Sequence, residues 1–410
     1  MDRSPLLLLS ALVLSVGCAA PDPAEGFINV EQFVDDGSEA TNQHFIDLMD
    51  GAQNSLRVAL PSLQDEDVAN AFADALDRGV DARLVIDIDN AEDAGALVLA
   101  NRGVTCLGGD EALVARANGM GAPCQLADDG VGYFDFANNV EVSVPSSSIH
   151  MTHAYAVADR VNFVRADRAG DVANGTRLTT VGRGEDLGDD LSWEHQQLFG
   201  GTDASTLTAF SSMAKSITDN RWMYPTQTPV VMEMWMGPQE RVIKRVIDSV
   251  YGARANVYVL TNDFVDVNLA RALDQKAADG FDVRAIVGPR FGDTRPEFSR
   301  TFLETDNIVK YRIDDDSIEH IPTVVLIDST ADRTGFQQMA RAYVLTHDIA
   351  STSRYIGGGS SLEVLSQSDQ LMDGNLLSWD DFQHDASAPS TEIGQVFDVI
   401  AAHFDLAEEL

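Results

Sequence analysis

Two stretches of the chain carry the same order of apolar and polar positions, at a constant offset of 201 residues. In residues 56–87 a short apolar run precedes apolar residues at helical spacing, and a second apolar run follows; residues 255–288 repeat this order. Gly79 and Gly280 end the two helical segments. A strand, a helix that stops at glycine and another strand are typical of a parallel or mixed α/β sheet, so the pattern predicts two such units.

Each half also contains a later run of small and apolar residues that ends in aspartate, His150–Asp159 and His320–Asp328. The offset between these two runs is 169, so the first half holds about 32 additional residues, which we assign to the region of Cys106 and Cys124. Prolines near Pro225 break any helix between the halves. The predicted division is therefore 1–18 export signal, 19–39 flexible tether, 40–224 first repeat and 225–410 second repeat.

The N-terminus is typical of an export signal. Arg3 supplies a positive charge, and residues 6–16 form an apolar run that is shorter than the ~20 residues of a membrane span. Cys18 after Gly17 resembles the lipobox of bacterial lipoproteins, with Ser15 where that motif usually has leucine. We predict an exported protein of the bacterial cell envelope that is anchored, at the outer membrane, through a lipid on Cys18. Plain secretion after ordinary cleavage is the alternative.

The other two cysteines, Cys106 and Cys124, lie in a glycine-rich stretch. An exported protein meets an oxidising compartment, so we predict a disulfide between them, with two free buried thiols as the alternative. No histidine or further cysteine lies nearby at the spacing of a zinc site, and the sequence predicts no metal and no cofactor.

The composition limits the partners. With 28 Lys and Arg against 65 Asp and Glu the formal net charge is −37, which argues against nucleic acid and against electrostatic docking on anionic lipid. At 44% hydrophobic residues the chain is long and apolar enough to bury a large core. The expected partner is an unidentified ligand or envelope component, and the membrane contact is the lipid anchor only.

The order of elements resembles the phospholipase D superfamily in its bacterial form with two repeats in one chain. The similarity lies in residues 75–87 and in AADGFDVRAIV of the second half, and it extends over most of residues 43–404. It implies an α/β fold of two repeats, each a mixed or mostly parallel sheet flanked by helices, packed with pseudo-two-fold symmetry. In that family each repeat brings an HxKxxxxD motif to a shared cleft, where one histidine attacks phosphorus, the other transfers protons and the lysines hold phosphate oxygens.

Both motifs are degenerate here. Counting back from Asp159, the histidine position holds Thr152 and the lysine position Ala154; counting back from Asp328, Ile321 and Thr323 stand there. The two aspartates remain. The segment Tyr343–Ser351 takes the place of the family's small-residue stretch, with Thr346 and Asp348 in similar positions.

Histidines stand beside the lost positions, and they leave two hypotheses open. His153 and His320 are each one residue out of register, which on a strand turns a side chain to the opposite face. One hypothesis is a catalytically degenerate binding or scaffold protein. The other is a phosphodiesterase or phospholipase with a site rebuilt from His153, His320 or His347, with Asp159 or Asp328 as the orienting carboxylate. A purely structural envelope lipoprotein is a third class.

Overall fold

The structure is a computed structural model and describes most of the two predicted repeats. The described residues are 27–87, 93–102, 105–108, 112–116, 132–135, 140–143, 152–199, 223–226, 230–237, 242–289, 291–292, 296–329, 339–349, 360–368, 392–404 and 406–410. Cys18, Cys124 and His150 lie outside them, and Cys106 is described only as part of a strand. Lipidation of Cys18 and the Cys106–Cys124 disulfide therefore stay predictions.

Strands and helices alternate along both halves of the chain. The strands of the first half are β1 (Asn29–Asp36), β2 (Ser55–Leu60), β3 (Asp81–Asp87), β4 (Thr105–Gly108), β5 (Ala112–Arg116), β6 (Gly132–Asp135), β7 (Val140–Ser143), β8 (Tyr155–Ala158), β9 (Asn162–Ala166) and β10 (Thr176–Arg183). Those of the second half are β11 (Met223–Pro225), β12 (Val230–Gly237), β13 (Asn256–Thr261), β14 (Asp282–Val287), β15 (Val309–Ile313), β16 (Thr323–Ile327), β17 (Met339–Leu345), β18 (Ser360–Ser368) and β19 (Ala407–Glu409). The helices are α1 (Ser38–Gly51), α2 (Glu66–Asp77), α3 (Ala94–Asn101), α4 (Glu185–Phe199), α5 (Val242–Gly252), α6 (Val267–Ala278), α7 (Pro296–Leu303) and α8 (Glu392–Phe404).

Two large mixed sheets result. The first has the order β1-β10-β9-β8-β2-β3-β5-β4 and the second β11-β12-β18-β17-β16-β13-β14-β15-β19, while β6 and β7 form a separate pair. Within the described strands, parallel pairing joins β2 to β3, β13 to β14 and β14 to β15. The α/β class with two mixed sheets flanked by helices is confirmed; packing about a pseudo-two-fold axis stays a prediction.

The repeated segments share their local chemistry. Asp65 caps α2 and Asp266 caps α6, and each carboxylate accepts hydrogen bonds from two backbone amides of its own helix's first turn. Gly79 and Gly280 follow the two helices with φ of 87° and 88°, a conformation that glycine adopts without strain. The aspartate that caps the helix and the glycine that ends it therefore have the same role in both halves.

Three cores hold the layers together. Helices α1, α2 and α3 pack on one face of the first sheet, and α5, α6 and α7 pack on one face of the second. The third core lies between the sheets, where Tyr155 and Phe163 of the first half meet Met232 and Tyr258 of the second, with α4 and α8 alongside. Full burial of each such side chain stabilises the fold by roughly 1.5–3 kcal/mol.

The predicted tether over residues 19–39 is wrong from Asn29 onward. Residues 29–36 form β1, which pairs antiparallel with β10 along its whole length. The polar composition of this stretch was misleading because Gln32 and Asp35 are buried within the strand, and Asp35 is hydrogen-bonded there. Asp35 is 5% exposed and accepts a hydrogen bond from Thr41 at 2.8 Å. Such bonds remove most of the cost of burying a carboxylate.

None of the helices in the described part of the chain is long and apolar enough to cross a membrane.

Candidate functional site

The degenerate motif positions meet at one edge of the two sheets. Strand β8 runs antiparallel to both β2 and β9, so the start of β8 and the end of β9 lie at the edge where β2 ends. The same argument brings the start of β16 and the end of β17 to the edge where β13 ends. Six residues at these edges form what we call the central cluster: Thr152, Asp167, His320, Thr323, Thr346 and Asp348.

Threonine hydroxyls make up part of the central cluster. The Oγ1 atoms of Thr152 and Thr346 lie 3.3 Å apart and join the two halves. Thr323 Oγ1 lies 3.2 Å from Thr261 Oγ1 and donates a hydrogen bond to Asp348 Oδ1 at 3.4 Å. Hydroxyls are weak nucleophiles unless a base activates them, and they carry no charge to hold an anion.

The other two motif positions belong to the hydrophobic cores. Ala154, at a lysine position, has no exposed surface and packs in the core under α1 and α2. Ile321, at a histidine position, is also fully buried, in the core between the sheets. A reacting group at either place would have to displace packed apolar side chains.

His320 forms the most defined polar contact of the cluster. Its Nε2 lies 2.6 Å from Oδ2 of Asp167, which belongs to the other half. Asp167 Oδ1 accepts a hydrogen bond from the backbone amide of Leu178 at 2.7 Å, and the His320 amide donates to the Asn174 carbonyl at 3.0 Å. Both partners are buried, with His320 7% and Asp167 2% exposed. The pair is therefore fixed from both sides.

His153 points elsewhere. It is fully buried, and its Nε2 lies 3.1 Å from Oε1 of Glu194 in helix α4. The edge of the Tyr155 ring packs against it at a centroid distance of 5.3 Å. The sequence predicted this orientation. Side chains in extended chain alternate between two faces, so His153 shares a face with Tyr155 and not with Thr152.

His347 has one ring nitrogen engaged. Nδ1 donates a hydrogen bond to the Asp348 carbonyl at 2.7 Å, which leaves Nε2 as the acceptor. Nε2 is buried and has no hydrogen-bond partner among the described residues. Burial lowers the pKa of His347 to about 4, so the imidazole is neutral near pH 7.

Asp159 and Asp328 lie at the opposite edge from the central cluster. Asp159 directly follows β8, whereas Thr152 precedes it; Asp328 directly follows β16, and His320 precedes that strand. Asp159 accepts hydrogen bonds from three backbone amides, those of residues 53–55, at 2.6–3.0 Å. Asp328 accepts from those of Arg254 and Ala255 at 2.7 and 2.8 Å. Both aspartates thus tie a strand end to the turn before β2 or β13, and neither is placed to orient a histidine of the cluster.

The electrostatics of the cluster disfavour a phosphate. Burial raises the pKa of Asp348, and nearby Asp263 adds to this, while His320 and Arg168 oppose it. Arg168 and the buried Arg177 both pair with the carboxylate of Asp171. Both guanidinium groups are therefore engaged within the protein, where the two positive charges share one carboxylate. In the described residues no group of three or more His, Cys, Asp and Glu side chains could hold a metal ion.

Asp167 was missed at the sequence level, although a signal for it existed. Thr346 was singled out by its place in the family's small-residue stretch, and the structure puts it directly after β17. Asp167 directly follows β9, which pairs with β8 as β17 pairs with β16. The residue that directly follows the second strand of the hairpin in the first half is Asp167, so the same position in both hairpins would have identified it. Its partner could not be foreseen, because the contact joins residues 153 positions apart.

Comparison with known proteins finds similarity of structure and none of sequence. No protein-family model and no curated protein sequence matches the chain. Among solved structures, phosphatidylserine synthase of Haemophilus influenzae Rd KW20 is similar over 93% of this chain and 87% of its own, with 10% identity and a TM-score of 0.55. Polyphosphate kinase of Porphyromonas gingivalis is similar over 100% of this chain, with 11% identity and a TM-score of 0.52. The chain spans about half, 52%, of that kinase.

Proposed function

Because the chain has the phospholipase D-like superfamily fold, we propose that it is a catalytically degenerate member of that superfamily. It acts as a binding or scaffold protein, exported and anchored at the cell envelope through Cys18. The observation that carries the proposal is the contact between Thr152 and Thr346, because it fills with hydroxyls the place where the two repeats would bring their reacting groups together.

The charge balance supports the same conclusion. Phosphoryl transfer through a phosphohistidine needs a nucleophile and several preorganised positive groups for the developing anionic charge. Here Ala154 and Ile321 are core residues, and Asp167 and Asp348 add carboxylates where a phosphodiester would bind. A neutral or cationic group fits such surroundings better than a phosphodiester.

Hydrolysis assays test the proposal directly. We would assay protein lacking residues 1–18 with bis(p-nitrophenyl) phosphate and with a fluorescent phosphatidylcholine, from pH 5 to 9, with and without divalent metals. We expect no turnover above that of the His320→Gln and His347→Gln variants. Turnover by the parent protein that either substitution abolishes, while its far-UV circular dichroism and melting temperature are kept, would overturn the proposal.

The second candidate is a phosphodiesterase with a rebuilt histidine site. It is favoured by one feature, the neutral His347 imidazole with Nδ1 fixed on a carbonyl and Nε2 as the remaining acceptor. This is the arrangement that a histidine nucleophile or base needs. The two histidine variants discriminate, since loss of turnover in His347→Gln with retention in His320→Gln would assign the reaction to His347.

Export and anchoring are tested separately. We expect full-length protein expressed in a bacterium to partition into the detergent phase of a Triton X-114 extract, and the Cys18→Ser variant to move to the aqueous phase. Aqueous partitioning of both proteins would indicate plain secretion.

A further inference from the structure

A second candidate binding site lies away from the central cluster. A cavity of about 580 Å³ opens between helix α1 and strands β1, β9 and β10, and we call it the α1 groove. Ala158 and Asn162 line it, and they flank the turn that contains Asp159. The groove therefore sits at the edge of the sheet opposite Thr152. Its volume is within the range of roughly 300–1,000 Å³ that is usual for small-molecule sites.

The α1 groove has an apolar floor. Leu48 of α1, Val164 of β9 and Val181 of β10 line it on the sheet face that α1 covers. Val164 is buried, and Leu48 and Val181 are half-buried, so the last two supply the apolar side-chain surface beside the helix. A hydrocarbon that covered this floor would gain roughly 25 cal/mol for each Å² of apolar surface removed from water.

The lining also carries negative charge. Glu31 and Asp47 are exposed. The side chain of Glu31 makes no hydrogen bond or ion pair within the described part of the chain, and the side chain of Asp47 accepts a hydrogen bond from Gln43 at 2.7 Å. His44 Nε2, on α1 like Asp47, lies 3.4 Å from Asp35 Oδ1. Arg183 is the lining's guanidinium and already engages another group.

We propose that the α1 groove binds an amphiphile whose head is an ammonium group and whose body is a hydrocarbon chain. The carboxylates of Glu31 and Asp47 take the ammonium group, and the apolar side chains of Leu48 and Val181 take the hydrocarbon chain. The net charge of −37 over the whole protein favours a cationic ligand over an anionic one for the same reason. This site is independent of the proposed function of the central cluster.

A series of probes that differ only in the head group tests the proposal. Octylammonium chloride, 1-octanol and sodium octanoate would be titrated into protein lacking residues 1–18 and followed by calorimetry, each below its micelle-forming concentration. We expect octylammonium to bind about tenfold more tightly than octanol, since two exposed ion pairs contribute up to ~1 kcal/mol each. Octanoate should bind most weakly. Equal affinities for the three probes, or no binding of octylammonium, would overturn the proposal.

Variants locate the binding. Glu31→Gln with Asp47→Asn removes charge at exposed positions, so the fold is kept, and it should abolish the preference for octylammonium over octanol. Val181→Phe narrows the floor and should weaken both probes, with thermal unfolding as the check on folding. An octylammonium preference that survives Glu31→Gln/Asp47→Asn would refute the assignment to this groove.

Binding to lipid vesicles distinguishes a membrane lipid from a free amine as the ligand. We would compare sedimentation with vesicles rich in phosphatidylethanolamine and with vesicles of phosphatidylglycerol. Preferential binding to the former that Glu31→Gln/Asp47→Asn abolishes assigns the ligand to a membrane lipid with an amine head group. Octylammonium binding without a vesicle preference assigns it to a free amine.

Discussion

The buried ion pair between Arg165 and Glu363 joins the two halves, and its removal should be costly. Arg165 is 1% and Glu363 0% exposed, and Arg165 Nη1 lies 3.1 Å from Glu363 Oε2. Nη2 of the arginine donates to the Val344 carbonyl at 2.8 Å, and Thr180 Oγ1 lies 2.9 Å from both carboxylate oxygens. These four residues belong to strands of the two facing sheets.

Glu363→Gln is the informative change because it keeps the shape and removes the charge. Burial raises the pKa of Glu363 and lowers that of Arg165, and each residue's charge opposes this shift in the other. Without the carboxylate, the guanidinium is left in an apolar interior without its counter-charge. Breaking one side of such a buried pair typically costs about 3–5 kcal/mol, and we expect a loss near 3 kcal/mol in the free energy of unfolding.

Urea unfolding followed by circular dichroism measures this loss. Asp189→Asn is the matched control, because Asp189 pairs with Arg160 at 2.7 Å on the surface and such pairs are worth about 0–1 kcal/mol. The double variant Arg165→Met/Glu363→Leu should recover most of the loss, since it leaves no buried charge. A loss for Glu363→Gln that equals the loss for Asp189→Asn would refute the interpretation that this pair couples the halves.

Three further predictions concern the motif positions. Asp159→Asn should lower the free energy of unfolding by about 1–3 kcal/mol at pH 7, because the amide accepts fewer of the three backbone hydrogen bonds. Burial alone would raise the pKa of Asp159, but those bonds lower it. The stabilisation is thus present above the ordinary aspartate pKa and is lost below about pH 4, so unfolding of parent and variant should converge there. The pKa of His347 is about 4 in the folded protein, below its ordinary ~6.5, so the unfolded state binds the proton first as the pH falls below 6.5. Relative to His347→Gln, the free energy of unfolding of the parent should therefore fall by about 2–3 kcal/mol between pH 7 and 4.5. Parallel pH profiles for the two proteins would contradict this. Ala154→Lys, which reinstates the family's lysine, should cost about 3–5 kcal/mol because residue 154 is fully buried, and a stable Ala154→Lys protein would show that the cleft is open there.

The repeat could be found from the sequence because the same residues do the same local work in both halves. Asp65 and Asp266 cap equivalent helices, and Gly79 and Gly280 terminate them, so the pattern and its cause coincide. Strand β1 could not be found in this way. Its buried Gln32 and Asp35 break the apolar alternation that marks a strand, and Asp35 is hydrogen-bonded to Thr179, which lies far along the chain.

For the site, the sequence predicted only the features that follow from the alternation of side chains along the chain. Alternation along a strand was enough to turn His153 away from Thr152, and the structure places it on Glu194. Alternation does not identify the partner of His320, because that partner, Asp167, belongs to the other half. Contacts between loops of different sheets depend on how the sheets pack, and one sequence does not show that.

If the proposed function holds, Asp159 and Asp328 explain how the fold persists without the reacting groups. Asp159 and Asp328 hold backbone amides at one edge of the sheets, and both adopt positive φ, 54° and 56°, which aspartate tolerates better than most residues. The residues that would react lie at the other edge, where Thr152 and Ile321 now stand. A change of residue at position 152 or 321 leaves these backbone hydrogen bonds intact, so under the proposed function a motif that keeps only its aspartate is what selection for the fold alone would leave. The surviving aspartates are therefore markers of the fold and do not by themselves indicate catalysis.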